Sequence, residues 1–123
     1  MGQGRARAGK GEGGLEQARL ELDPQRRVVV ALGKRRATVP GLSLRPRSSF
    51  PGAVWVAGET TWDEVTLYAS DGRLLVQHVE WLDAQYAGKD PGASRWFASS
   101  DGSRWSEVEA PSDPGRRLDH ATS

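Results

Sequence analysis

The chain has 123 residues, of which 37% are hydrophobic, and it has no cysteine and a net charge of +1. This length fits one domain rather than two, and the lack of cysteine excludes disulfides and cysteine-based zinc sites or nucleophiles. A membrane helix needs about 18 consecutive apolar residues, and no apolar run in the sequence is nearly that long. The N-terminus lacks the hydrophobic stretch of a secretory signal. We therefore expect a cytoplasmic protein that does not span a membrane.

The net charge conceals an asymmetry along the chain. Residues 1–50 contain eleven basic and four acidic residues, a balance of +7, whereas residues 51–123 contain six and twelve, a balance of −6. Residues 24–58 contain seven basic residues and no acidic one. Such polarity either provides a patch for an acidic partner or lets the two segments neutralise each other when they pack as neighbours.

Both ends of the chain are predicted to be disordered. Residues 1–14 are mainly Gly, Arg and Lys, and residues 111–123 are rich in Pro, Ser, Asp, Gly and Arg. Segments with so few apolar side chains cannot offset the entropy lost on ordering. We therefore predict a basic N-terminal tail, a single β-rich domain over residues 15–110 and a C-terminal tail.

The first structured unit is predicted to be a three-stranded meander. Leu20 and Leu22 alternate with charged residues, which is the period of a half-buried strand. The segment 27–32 contains three consecutive valines and is apolar on both faces, as expected of a central strand. Gly33-Lys34 forms the next turn, and the third strand is expected to stop at Pro40-Gly41 because these residues interrupt strands.

The segment around Asp71-Gly72 predicts a β-hairpin. Asp-Gly is a preferred pair for a two-residue type I′ turn, and apolar alternation flanks it on both sides. In this register Leu67 faces Val76, Tyr68 faces Leu75 and Val65 faces His78. The alternative is an α+β fold with a helix over about 73–87, because a capping box at 61–64 and helical spacing of apolar residues also fit this stretch.

A second hairpin is predicted around Asp101-Gly102, with Ala98 opposite Trp105. The segment that follows Ala98, SSDGSRW, resembles the Asp-box of sialidase-type β-propellers: Ser99, Asp101 and Trp105 match its serine, aspartate and aromatic positions, and Gly102 follows the aspartate directly. In that family the motif is a folding element at a hairpin tip. The resemblance therefore implies a hairpin and carries no activity.

The first hairpin has a similar short resemblance. Residues 68–74, YASDGRL, look like the tyrosine-and-glycine hairpin unit of Rhs-type YD repeats, with Ala69 where the repeats have aspartate. This unit is also structural in its family. Together the patterns predict a mainly β fold, a single small domain of antiparallel hairpins and a meander.

Catalytic chemistry has little support in the sequence. The two histidines are His78, in a predicted strand, and His120, in a predicted tail, and no zinc-binding or nucleotide-binding motif is present. The acidic pair Asp63-Glu64 would point to opposite faces of a strand. We expect no catalytic residues, no metal and no cofactor, and keep a small hydrolase-like enzyme as a remote alternative.

Two sets of residues are candidates for binding. The basic set would bind nucleic acid or another acidic partner, because a positive patch with neighbouring aromatics suits phosphates and bases; its members are Arg26, Arg27, Lys34, Arg35, Arg36, Arg45 and Arg47. The aromatic set would form a protein interface, because tryptophan is frequent in binding hot spots; its members are Trp55, Trp62, Trp81, Trp96 and Trp105. We predict a non-catalytic module that binds a protein or a second copy of itself, with nucleic-acid binding as the alternative.

Overall fold

A computed structural model describes residues 12–50, 59–84 and 88–122. Within these ranges the chain forms nine β-strands after a short 3-10 helix, Glu12–Gln17. The strands are β1 (Arg19–Leu22), β2 (Arg27–Leu32), β3 (Arg35–Ser43), β4 (Ser48–Phe50), β5 (Glu59–Ser70), β6 (Arg73–Ala84), β7 (Gly88–Ser99), β8 (Ser106–Val108) and β9 (Arg116–Thr122). The predicted mainly β fold is confirmed. No helix among the described residues is long and apolar enough to cross a membrane.

The strands form two antiparallel sheets. The small sheet has the order β1-β2-β3, and the large sheet has the order β9-β5-β6-β7-β8, with β4 paired to the beginning of β5. The long strands β5, β6 and β7 have twelve residues each and make the large sheet the main surface of the domain. The meander predicted for the N-terminal part is the small sheet.

Among the described residues, one buried hydrophobic cluster joins the two sheets. It includes Val28, Val30 and Val39 from the small sheet, and it includes Leu67 and Phe97 from the large sheet. Alternation along each strand explains the cluster, because every second side chain of a strand points to the same face. Each sheet thus has an inner face in the core and an outer face, as in a β-sandwich.

Strand β2 is central, as its sequence predicts, and is buried on both faces. Val28 and Val30 are 0% and 1% exposed on the inner face, and Val29 and Ala31 are 8% and 1% exposed on the other. The second face is covered by an ion pair that reaches over β2 from its two neighbours. In this pair the guanidinium of Arg36 on β3 donates to the carboxylate of Glu21 on β1 at 2.8 and 3.2 Å, while Glu21 and Arg36 lie opposite Val29 and Ala31.

The central hairpin has the predicted register. Leu67 pairs with Val76, Tyr68 with Leu75 and Val65 with His78. Asp71 and Gly72 have φ values of 49° and 79°, which are the left-handed values that a type I′ turn requires. The helical alternative over about 73–87 is wrong for Arg73–Ala84, because these residues form β6; residues 85–87 lie outside the described part.

The prediction that the third strand stops at Pro40-Gly41 is wrong. Strand β3 continues to Ser43, which pairs with Arg27, while Thr38 pairs with Val29. The register therefore shifts between these two pairs, and Gly41 adopts a φ of 70° in the extra residues. A bulge tolerates both proline and glycine, because its extra residues do not take part in the regular ladder.

The register predicted for the second hairpin is also wrong. Ala98 pairs with Ser106, not with Trp105, because residues 100–105 form a six-residue loop in place of a two-residue turn. The side chains of Ser99 and Asp101 bind the backbone of this loop and hold it open. Trp105 then packs into the core at 8% exposure.

The predicted C-terminal tail corresponds to a strand. Residues Arg116–Thr122 form β9, which pairs with β5 in the large sheet, and Leu118 and Ala121 pack against the core. Asp119 also connects the two sheets, because its carboxylate accepts a hydrogen bond from the backbone N–H of Leu20 on β1 at 2.8 Å. At the other end, residues 1–11 of the predicted N-terminal tail lie outside the described part, and residues 12–14 of that tail belong to the 3-10 helix.

Candidate binding surfaces

The seven members of the basic set lie in two groups at opposite ends of β2. Arg26, Arg27, Arg45 and Arg47 lie at one end, where the backbone N–H of Leu44 donates to Arg26, and Lys34, Arg35 and Arg36 lie around the turn at the other end. A strand of six residues at roughly 3.3 Å per residue separates the ends by about 17 to 20 Å. The basic set is therefore not one continuous patch.

Three members of the basic set are neutralised by acids. Arg27 contacts Asp23 at 2.6 Å, Arg36 contacts Glu21 at 2.8 Å and Arg45 contacts Asp63 at 2.9 Å. All three acids lie outside the segment 24–58, which the sequence shows to have no acidic residue. Only the pair of Arg45 and Asp63 joins the basic half of the chain to the acidic half, because Asp23 and Glu21 belong to the basic half.

The other members have different environments. Arg47 lies over the ring of Trp62 at 4.9 Å, a cation–π distance. Arg35 donates to the Ser103 hydroxyl and to the Asp101 carbonyl oxygen, both at 3.2 Å, and so links β3 to the loop between β7 and β8. Arg26 has a φ of 65°, and Lys34 is exposed in the turn after β2.

The most buried acid of the described part is at the end of the core beside Arg45. Asp63 is 1% exposed, and its carboxylate accepts hydrogen bonds from the Arg45 backbone N–H at 2.6 Å and from the Arg45 guanidinium at 2.9 Å. Burial alone would raise the pKa of Asp63, but the side-chain and backbone hydrogen bonds from Arg45 lower this pKa overall. His78 Nε2 lies 3.5 Å from Asp63 Oδ1 without hydrogen-bond geometry, and neither His78 nitrogen has a partner among the described residues.

Three tryptophans of the aromatic set lie on the outer face of the large sheet. Trp62 and Trp81 are direct cross-strand partners with stacked rings 6.0 Å apart. Trp96 stacks on Tyr68 at 5.7 Å across β6, and Leu75 beneath them is fully buried. Stacked aromatic pairs give this face both apolar area and rigidity.

The remaining two tryptophans do not belong to this face. Trp105 packs into the core, where its indole N–H donates to the Gly102 carbonyl oxygen at 3.3 Å. Trp55 lies outside the described residues, and no side-chain position is described for Phe50, an aromatic neighbour of the basic set. The aromatic set is thus divided between Trp105 in the core and a cluster on the outer face, in which Trp62 and Trp96 are buried at 6% and 9% exposure and Trp81 is partly exposed.

Each aromatic stack has a polar side chain beside it on the same face. The indole N–H of Trp62 donates to Glu64 at 3.2 Å, and the Tyr68 hydroxyl donates to Gln77 Oε1 at 3.3 Å. His120 on β9 lies 3.7 Å from Glu64. The carboxylate of Glu64 is therefore held in place by neighbours on the same face.

Sequence reasoning missed three arginines at the hairpin-tip end of this face. Arg73, Arg104 and Arg117 are exposed, and none of their side chains forms an ion pair with an acid in the described part of the chain. They lie on or beside three separate strands, so no cluster appears in the sequence. One feature of the sequence is common to all three: each arginine comes one or two residues after a glycine that has a positive φ in the structure. These glycines are Gly72, Gly102 and Gly115.

The loop beside Arg104 is held by its own side chains. The Ser99 hydroxyl accepts from the Gly102 N–H at 2.8 Å, and Asp101 Oδ1 accepts from the backbone N–H groups of Ser103 and Arg104 at 2.8 and 3.0 Å. The N–H groups of Arg104 and Ser103, followed by the Ser99 hydroxyl, lower the pKa of Asp101 to about 2. Its negative charge is thus compensated within the loop.

Among the described residues, no group of three or more His, Cys, Asp or Glu side chains is arranged to hold a metal ion. The comparisons with known proteins give no relative: no protein-family model, no curated protein and no solved structure matches this chain.

Proposed function

We propose that this chain is a non-catalytic binding module, and that the outer face of its large sheet binds an acidic segment of a protein partner. The observation that carries this proposal is the combination of the two aromatic stacks with the exposed, unpaired arginines Arg73, Arg104 and Arg117 at one end of the same face. Tryptophan, tyrosine and arginine are the residues most enriched in binding hot spots. The positive charge of the three arginines favours a partner with acidic side chains.

Nucleic-acid binding is the second candidate, and the same face is the surface that favours it. Aromatic rings can stack on bases, and the arginines can contact phosphates. The protein partner is preferred because the rings already stack on each other at 6.0 and 5.7 Å, which leaves fewer ring faces free for bases.

We also propose a cytoplasmic location on the sequence grounds given above. Fractionation of cells that express a tagged chain would test this location.

The test is an amide NMR titration of the labelled full chain with three probes. These are a peptide rich in Asp and Glu, a Lys-rich peptide of equal length and a short mixed single-stranded nucleic acid, each at about 50 and 200 mM salt. We expect the acidic peptide alone to shift amides of β5, β6 and β7. Shifts with nucleic acid and none with the acidic peptide would replace the proposal with the second candidate, and no shift with any probe would overturn both.

Two substitutions locate the binding surface. Trp81→Ala removes one ring of a stack, and we expect it to weaken binding of the acidic peptide about tenfold. Thr38→Ala changes an exposed residue of the small sheet and is the matched control, so it should bind as the unchanged chain does. Circular dichroism of each variant shows that the fold is retained. Equal affinities for both variants would place binding elsewhere.

A further inference from the structure

A cleft opens at the hairpin-tip end of the large sheet. It has a volume of about 320 Å³, and Arg73 from the start of β6 and Arg104 from the loop after β7 line it together. The hydroxyls of Ser100 and Ser106 lie in the same lining, and Ala98 and Val108 add an apolar wall. Two cations and two hydroxyls thus converge on one concave surface.

Two acidic residues near this cleft are held by other groups. Asp101 accepts backbone hydrogen bonds from Ser103 and Arg104, and Glu16, which lines a neighbouring hollow with Arg73, is 3.6 Å from Arg116. Asp71 lines that hollow too and forms no ion pair with Arg73 among the described contacts. The lining of the cleft itself contains two guanidinium groups and no acid, so its donors are available to a ligand.

We propose that this cleft binds a phosphate monoester, with Arg73 and Arg104 as charge partners and the Ser100 and Ser106 hydroxyls as additional donors. A phosphate monoester carries about −1.5 to −2 charges at neutral pH and three acceptor oxygens, which suits two guanidinium groups and nearby hydroxyls. A carboxylate has one charge and two oxygens and would leave part of these donors unused.

The cleft is open to solvent. Its volume of about 320 Å³ has room for a phosphate group together with the side chain that carries it. The apolar wall of Ala98 and Val108 can contact the carbon atoms next to the phosphate. The inference rests on the proposed function only for the source of the group, which we take to be a phosphorylated side chain of the protein partner.

The experiment compares four probes on the full chain by NMR: inorganic phosphate, a phosphoserine peptide, the same peptide with glutamate at that position, and a mononucleotide. We expect the phosphoserine peptide to bind most tightly, inorganic phosphate to bind the same residues more weakly and the glutamate peptide to bind at least tenfold more weakly than the phosphoserine peptide. Tighter binding of the mononucleotide would assign the cleft to a small-molecule phosphate and would overturn the peptide source.

Substitutions distinguish a built site from general positive charge. Arg73→Gln and Arg104→Gln should each raise the Kd for the phosphoserine peptide about tenfold, and both should reduce inorganic phosphate binding. Lys34→Gln removes an exposed cation that lies outside both the cleft and the outer face of the large sheet, and it is the control. If all three variants lose affinity equally, binding is nonspecific attraction and the site is refuted.

The outcome is also separable from that of the proposed function. Trp81→Ala leaves the lining of the cleft intact, so inorganic phosphate should bind this variant as tightly as it binds the unchanged chain. Retained phosphate binding without any acidic-peptide binding would refute the proposed function and leave the cleft in place. Acidic-peptide binding without discrimination between phosphoserine and glutamate would refute the cleft alone.

Discussion

The carboxylate of Asp63 on β5 holds Arg45 by both its backbone and its side chain. The backbone N–H of Arg45 donates at 2.6 Å and its guanidinium donates at 2.9 Å, while the carboxylate itself is almost fully buried. Arg45 follows Leu44, whose own N–H is bound to Arg26 at the start of the small sheet. The pair therefore fixes the chain where it passes from the small sheet to the large one.

We predict that Asp63→Asn lowers the free energy of unfolding by about 2 kcal/mol, because it replaces a buried carboxylate by a neutral amide and so weakens the charge-assisted hydrogen bonds from the half-exposed Arg45. Urea denaturation at neutral pH measures the change. Glu107→Gln is the control, since its pair with Arg95 at 3.1 Å is exposed and should be worth less than about 1 kcal/mol. Equal effects of the two substitutions would show that burial adds nothing to the Asp63 pair.

Acid should weaken the fold through Asp101. The pKa of this carboxyl falls from an ordinary value of 3.8 to about 2 in the folded chain. A lowered folded-state pKa means that the stabilisation is present above the unfolded value and is lost as the pH falls from about 4 to about 2. In urea denaturation we expect the stability gap between the unchanged chain and Asp101→Asn to be constant at neutral pH and to close over that interval. A gap that is independent of pH would contradict the assignment.

Local sequence rules predicted the parts of the fold whose partners are close in the chain. The turn at Asp71-Gly72 determines the register of β5 and β6, because a two-residue turn fixes which residues face each other. The valines of β2 predict a strand that is buried on both faces. Both features depend on side chains within a few residues of one another.

The features that sequence reasoning missed depend on distant contacts. Strand β9 has few apolar residues, and it is a strand because the edge of β5 provides backbone partners for it. The pair of Asp63 and Arg45 joins residues eighteen positions apart on different elements. Arg73 and Arg104 converge only after two hairpins have aligned their tips. Such contacts follow from sheet order, which local patterns do not specify.

Strand β9 is expected to be required for stability. Removing residues 116–123 would expose the edge of β5 and the core contacts of Leu118 and Ala121, and it would free the N–H of Leu20. We predict a lower denaturation midpoint and concentration-dependent aggregation, because an exposed long edge strand pairs with other chains. Replacing Ser112 with alanine is the control and should leave the midpoint unchanged, since this residue is exposed and lies before β9. An unchanged midpoint after truncation would mean that β9 is dispensable.

Gly115, which precedes β9, is predicted to tolerate no side chain. A Cβ atom at this position would lie 2.3 Å from the carbonyl oxygen of Ala69, and the residue has a φ of 88°. Gly115→Ala must therefore displace β9 from β5, and we expect a loss of more than about 2 kcal/mol in unfolding free energy.

Gly33→Ala is the matched control, because Gly33 has a φ of 65° but open space around the new Cβ. Gly33→Ala should lower the free energy of unfolding by only about 1 to 2 kcal/mol, which is the cost of a left-handed backbone for alanine. Urea denaturation compares the two variants, and amide NMR should show shifts at β9 for Gly115→Ala alone. Equal losses without such shifts would mean that the close approach to Ala69 is not a constraint on the fold.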